Sequence, residues 1–545
     1  MYKRFLSLIM ALLISFTGFS SFSYANTPYQ TPGSVNDGPY GTPGNKTNTT
    51  TKIDKRKVIS IVPLDSRPCN TQYPQLIGGI MNQNVLLPPS NILDNYTSPS
   101  HSESLWTWME ENAKISNKMI IYTNQLFNGG LIASRSYVNS DSIEYDVNRL
   151  SDFIKSHPDL DVVVVSILPR LLPSQFDVNF QGYQKVLANW GKKLDFNYTM
   201  NVNPPSYPEG VPIEVAQRYQ NLYNYHSNLS TKLGELANSG VLKNYFIGQD
   251  DGEEFAPSNI IYRKLLEKAY KNVTIQKGAD ELTMMICALD NPKPREINLV
   301  YTNPGSTSAY LPYESAPLKN IVDEKLRILG ITVNPNSKDT LIIHNDPAYS
   351  YQVQNLIPKD KKGYVAIADV AYTNKGDSSL KNLLFNKDTL YKVDAYSGWN
   401  TGANTIGTAL SQYVATKYLE ENFSKMDDLV KASAIDSIYK FKYVRLAEDI
   451  IYQSLMVTNM RNIFTSRGMR MTNGDIYSDK KLDAEALLNE YAFKYIIELN
   501  KIFMGSNTML LGDNLIETNY SFVNANLAYP WHRTFEVKVD PIFTK

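Results

Sequence analysis

The sequence predicts an α/β protein built on parallel strands, (β/α)8 barrel-like or a doubly wound sheet, followed by a helical C-terminal region. Three observations carry this. From Val58 onward, short β-branched runs alternate with helical patterns, the signature of parallel strands joined by crossover helices. Runs such as Val162-Val163-Val164-Val165 are apolar at every position, which fits a sheet covered on both faces. Beyond about Met426 the strand signals stop and amphipathic patterns take over.

In chain order the strand candidates are Val58–Leu64, Val85–Leu87, Met119–Thr123, Asp161–Leu168 and Asn244–Gly248. Then come Val273–Gln276, Ile297–Tyr301, Leu341–His344, Val365–Ala368 and Tyr391–Val393. Between them lie the helical segments Ser102–Asn117, Ser142–Ser156, Ile213–Ala237, Asn259–Lys271 and Ala316–Leu329. These candidates outnumber the eight strands of a closed barrel. Either the surplus belongs to an insertion or the sheet is open, and a barrel-like α/β domain over 58–422 is the expectation. Residues 423–545 form the helical region, with amphipathic stretches Val430–Thr465 and Leu482–Phe503. The stretch Pro530-Trp531-His532-Arg533-Thr534-Phe535-Glu536 reads as an extended ending.

The N-terminus places Lys3 and Arg4 before an apolar run, Phe5 to Phe19, and then Ser23-Tyr24-Ala25. That order describes a secretory signal peptide over 1–25, too short to span a bilayer, which takes ~20 apolar residues. Residues 26–57 are rich in Thr, Asn, Gly and Pro and lack the apolar surface that would offset their ordering entropy, so they read as a disordered tether. The expectation is a secreted or cell-surface protein, free of the membrane once the signal is removed.

Composition narrows the partners. The formal net charge is zero, which gives no footprint for nucleic acid or an anionic membrane. Two cysteines, Cys69 and Cys287, are too few for a disulfide framework or a zinc ribbon; both lie beside apolar patterns and read as buried free thiols. The five histidines lack metal-ligand spacing. No cofactor is called for, and the oligomeric state is not readable.

In parallel α/β folds, chemistry collects at the carboxyl ends of strands. The densest exit is Gln249-Asp250-Asp251-Gly252-Glu253-Glu254, an apolar strand running into a crowd of carboxylates. Other exits supply Asp65 and Arg67, Asn128 to Arg135, Arg170, Asp280 and Glu281, His344-Asn345-Asp346, Asp369, and Trp399-Asn400 with Asn404. Each has a structural alternative. Asp65 beside Arg67 reads equally as a turn-stabilising ion pair; Gly129-Gly130 as a tight turn; Asp280, Asp346 and Asp369 as helix caps; Trp399 as core. Their recurrence at one end of one sheet favours a site. Paired carboxylates are the minimum equipment for cleaving a glycosidic bond, one protonated and one ionised. Asp250 and Asp251 are the catalytic candidates. Asp65, Arg67, Asn128, Arg135, Arg170, Asp280, Glu281, Trp399, Asn400 and Asn404 are the candidates for holding a glycan substrate, with aromatic rings for stacking.

The motifs Pro63-Leu64-Asp65-Ser66-Arg67-Pro68, Gly129-Gly130-Leu131-Ile132-Ala133-Ser134-Arg135, Gln249-Asp250-Asp251, Gly278-Ala279-Asp280-Glu281, Gly398-Trp399-Asn400-Thr401 and Pro530 to Glu536 together resemble the bacterial family DUF4127. That resemblance covers nearly all of the chain after the tether and implies no reaction. The Asp-Asp pair followed by a Trp-Asn motif is similar to retaining N-acetylhexosaminidases that use substrate-assisted catalysis. This implies Asp250 as the residue that orients the acetamido group and Asp251 as the general acid/base.

Three functional classes follow. The first is a cofactor-free secreted glycoside hydrolase acting on an amino-sugar-containing glycan. The second is a hydrolase whose Asp65, Asp250, Asp251 and Asp369, with His344, hold a divalent metal through oxygen ligands. The third is a glycan- or wall-binding protein without turnover.

Overall fold

The computed structural model describes residues 56–136, 140–290, 292–471 and 475–545. The expected signal peptide and nearly all of the expected tether lie outside them. The first strands are β1 (Lys57–Val62), β2 (Gln83–Leu86), β3 (Lys118–Tyr122), β4 (Asp161–Leu168), β5 (Asn244–Gln249) and β6 (Val273–Ile275). They form one all-parallel sheet in the order β2-β1-β3-β4-β5-β6. Then β7 (Arg295–Tyr301), β8 (Ile331–Val333), β9 (Thr340–His344), β10 (Val365–Asp369) and β11 (Ala395–Ser397) form a second parallel sheet, ordered β11-β10-β9-β7-β8.

Both sheets are open and doubly wound; the expected barrel does not form. Each follows the same path. A first strand sends the chain to one side for the second, and the third then returns to the first strand's other flank. That reversal opens a crevice at the carboxyl ends of the first and third strands. In the first sheet it lies between the exits of β1 and β3.

Burial explains why the sheets stay together. In β4, Val163, Val165 and Ile167 face one core while Val162, Val164 and Leu168 face another. Successive side chains point to opposite faces, so a run of valines is buried twice over. Each such side chain contributes about 1.5–3 kcal/mol on full burial. Ile342 and Ile367 of the second sheet belong to the same core as Val163 and Val165, and so do C-terminal residues such as Tyr443, Ile450 and Phe503. One shared core thus joins the inner faces of both sheets to the C-terminal region, and the described residues belong to one compact unit.

Several elements differ from expectation, among them β8, which matches none of the expected strands. Residues Tyr391 and Lys392 end a short helix, Lys387–Lys392, because the Asn386 side chain accepts from the backbone N–H groups of Asp388 and Thr389 and caps it; the strand forms afterwards, as β11. The helix Gly402–Asn422 carries no apolar stripe because it is buried on all sides from Gly402 to Thr416. The C-terminal region is helical, with Asp428–Arg445, a π-helical stretch Leu446–Met456, Val457–Ser466 and Lys481–Phe503, but it also holds strands. These are β12 (Gly505–Leu511), β13 (Asn514–Tyr520), β14 (Phe522–Ala528) and β15 (Lys538–Thr544), paired as two antiparallel ribbons. Gly512-Asp513 supplies the two-residue turn of the first ribbon, with Gly512 at φ 61°. The segment Pro530 to Glu536 is therefore the loop between β14 and β15, and it turns inward.

Candidate functional site

The site begins at the exit of β1. There the Arg67 guanidinium lies between two buried carboxylates. Its Nε and Nη2 donate to Asp65 Oδ2 at 2.8 and 2.7 Å, and its Nη2 and Nη1 donate to Asp280 at 2.6 and 3.1 Å. Asn70 Nδ2 bridges the same two acids at 3.0 and 3.2 Å. Asp280 also accepts from Asn400 Nδ2 at 2.8 Å. Burial pushes the Asp280 carboxyl above the usual range and Arg67 opposes it. Asp280 follows Gly278, which sits at φ 84°; a Cβ there would meet the Glu281 carboxylate and the Ala403 Cβ. Gly278→Ala is expected to lose roughly 1–3 kcal/mol of stability, read from urea unfolding midpoints.

The second group forms where β5 ends. Register pairs Leu168 of β4 with Gln249 of β5, which brings the Arg170 exit beside Asp250 and Asp251. Asp250 Oδ2 accepts from Arg135 Nε at 2.7 Å and lies 2.6 Å from its Nη2. Asp251 Oδ2 accepts from Arg170 Nη1 at 3.2 Å. Asp250 is 5% exposed, and burial together with the Asp251 charge raises its pKa to about 6 against the pull of Arg135. Arg135 is itself lowered, by burial and by the neighbouring Arg170.

Both groups open onto one cavity of about 270 Å³. Three parts of the chain wall it. The first sheet contributes Arg67, Arg135, Arg170, Asp250, Asp251, Asp280 and Tyr96. The second half adds Tyr313, Asn374 and Asn400, from the loops after β7, β10 and β11, and the β14–β15 loop adds Arg533 and Phe535. Arg533 is clamped by Glu536 at 2.9 and 2.7 Å and stacks 4.5 Å from the Trp531 ring centre. Trp531 in turn donates its Nε1–H to Ser66 Oγ at 2.8 Å, tying the C-terminal loop to the β1 exit.

Backbone strain marks the same place. Among the described residues, nine non-glycine positions have positive φ, and five of them line this cavity: Tyr96, Asp251, Tyr313, Asn374 and Asn400. Such conformations cost roughly 1–3 kcal/mol each and gather at functional sites.

Seven of the sequence-derived candidates therefore meet: Arg67, Arg135, Arg170, Asp250, Asp251, Asp280 and Asn400. The others sit behind or away. Asp65 is fully buried and holds Arg67, so its ion-pair reading stands. Asn404 Oδ1 accepts from the backbone N–H groups of Ala279 and Asp280, at 3.4 and 3.3 Å, and so supports the Asp280 turn. Glu281 forms a fully buried ion pair with Lys325. Asn128 donates to Tyr225 Oη at 2.9 Å. Trp399 donates to Thr408 Oγ1 and packs edge-on against Tyr73; it borders only a water-sized hollow of about 20 Å³ beside the cavity. Cys69 and Cys287 are buried free thiols.

The cavity residues that the sequence did not offer as site candidates include Tyr96, Gln175, Phe176, Tyr313, Asn374, Arg533 and Phe535. Only the last two stood in a conspicuous motif. The oxygen set considered for a metal does not converge. Asp65, Asp250 and Asp251 each face a guanidinium, while Asp369 accepts from Tyr396 Oη at 2.7 Å and His344 lies 3.0 Å from Asp377 on the second sheet. Among the described residues no group of three or more His, Cys, Asp or Glu side chains is placed to hold a metal ion. Among them, too, no helix is long and apolar enough to cross a membrane.

A family model described as "Protein of unknown function (DUF4127)" matches residues 59–540. No curated protein matches the chain.

Proposed function

The chain belongs to the DUF4127 family of proteins of unknown function, and from its cavity we propose a secreted glycoside hydrolase acting on an amino-sugar-containing glycan. Asp250 is the general acid and Asp251 its carboxylate partner. The observation that supports this reading is Asp250 itself, a buried carboxyl beside a second acid, facing an open cavity, with a pKa of about 6. Such a group keeps its proton to higher pH than an ordinary aspartate and can deliver it to a leaving oxygen. Asp251, paired with Arg170 and more open to the cavity, is suited to stabilise positive charge at the anomeric carbon or to orient the acetamido group. These roles run opposite to those the hexosaminidase resemblance implies. Tyr96, Tyr313, Phe176 and Phe535 offer aromatic walls for a sugar ring, and the Arg67, Arg135 and Arg170 side chains offer N–H donors to its hydroxyls. Export rests on the N-terminal sequence, Lys3 to Ala25.

The test is a product screen of the purified protein against bacterial wall and extracellular glycans, run with and without EDTA. Release of reducing sugar that survives chelation is expected. The pH profile follows from the sign of the Asp250 shift. A general acid works while protonated, so kcat/KM should fall about tenfold per pH unit above about 6. A rate that climbs from pH 6 to 8 rejects Asp250 as the acid. Saturable glycan binding with no product from any glycan favours the non-catalytic binding protein instead.

A further inference from the structure

A second hollow, of about 600 Å³, lies between the helices Gln184–Thr199, Ile213–Asn238 and Pro257–Lys268. Its position relative to the cavity is set by the Arg170–Leu171 segment. Tyr223, which lines the hollow, donates its hydroxyl to Arg170 O at 2.8 Å, and Tyr219 donates to Leu171 O at 2.8 Å. The side chain of the same Arg170 lines the cavity and holds Asp251. One strand-exit segment thus has the cavity on its side-chain flank and the second hollow on its carbonyl flank.

The lining has the chemistry of a sugar subsite. Tyr198 keeps 39% of its surface exposed, with Lys264 Nζ 5.5 Å and the Arg263 guanidinium carbon 5.6 Å from its ring centre. The lining also holds the amides of Asn201, Gln220 and Asn224, which donate and accept, alongside the apolar Val202, Ile260 and Ile261. An aromatic face and neutral amides in one hollow suit the apolar face and the hydroxyls of a pyranose ring. An acyl chain in the same place would strip water from those amides without giving them a partner. Apart from Lys264, the side chains of the lining are uncharged.

Resting on the hydrolase reading above, we propose that this hollow is a distal subsite that holds neutral sugar units of the same glycan, beyond those in the cavity. Tyr198 is the residue that stacks on them.

The test compares binding of a β-linked N-acetylglucosamine hexamer and dimer, by calorimetry, to Asp250→Asn protein with and without Tyr198→Ala. The hexamer is expected to bind about tenfold tighter than the dimer, and Tyr198→Ala is expected to remove that gain while leaving dimer affinity unchanged. Equal thermal unfolding midpoints of the two proteins establish that the exposed tyrosine can be removed without harm to the fold. Hexamer affinity that does not exceed that of the dimer, or a gain that survives Tyr198→Ala, overturns the subsite. The two readings separate here: no turnover by wild-type protein, together with a Tyr198-dependent hexamer gain, sinks the hydrolase and keeps the subsite.

Discussion

Asp250→Asn is expected to lower kcat on the cleaved glycan by roughly 100- to 10,000-fold, the range typical of removing a positioned acid or base. The amide is nearly isosteric and its Oδ1 can still accept from Arg135 Nε, which now meets Asp250 Oδ2 at 2.7 Å. Packing is therefore preserved while the transferable proton is lost. Steady-state kinetics with circular dichroism melting as control makes the measurement. A structural role predicts the reverse pattern, with a lowered melting temperature, a raised KM and a kcat within a few-fold of wild type. The residual activity of Asp250→Asn should also lose the fall above pH 6, because the group that titrates there is gone. If the fall persists, another group titrates it. Glu314, which burial raises to about 7 where it caps Ala403 N–H at 2.6 Å, is the next to test.

The elements legible in the sequence were those whose surroundings impose a simple period. β4 is apolar at nearly every position because both of its faces are covered, and its bounds match the expectation. The helix Gly402–Asn422 defeats the same reasoning. Wrapped on all sides by other elements, it needs small residues such as Gly402, Ala403, Gly407 and Ala409 more than a stripe. Periodicity also reports that a strand exists without saying which strands pair. The division into two sheets, made where β6 and β7 fail to bond, left no mark that a residue count could find. The site divides in the same way. Four acids after one apolar strand identified Asp250 and Asp251. Their partners are matters of tertiary register, with Arg135 and Asp250 separated by 115 positions and Arg67 and Asp280 by 213. Arg533 escaped because the segment around it looks like a tail until β15 is seen to pair with β14 and turn it into a loop. Tyr96, Tyr313 and Asn374 carry positive φ that nothing in their own sequence requires, and strain of that kind is visible only in the fold.

Arg67→Met should be the most damaging single change to stability. It leaves Asp65 and Asp280, both buried, without the guanidinium that lies between them. Breaking a buried pair by removing one partner costs roughly 3–5 kcal/mol, because an uncompensated charge stays in the interior. Methionine fills similar space, so the loss is electrostatic rather than a cavity, and pH tells the two apart. Asp280 is already held above the ordinary carboxylate range by burial, and removing Arg67 takes away the largest influence opposing that rise. An acid whose folded pKa exceeds its unfolded value destabilises the fold increasingly as pH climbs from the unfolded value through the folded one. Urea unfolding at pH 5 and pH 7.5 should therefore show the deficit against wild type shrinking at the lower pH, where protonation removes the stranded charge. A deficit that is the same at both values would mean that shape at this position, and not the sandwich of one cation between two acids, is what the β1 exit contributes to the fold.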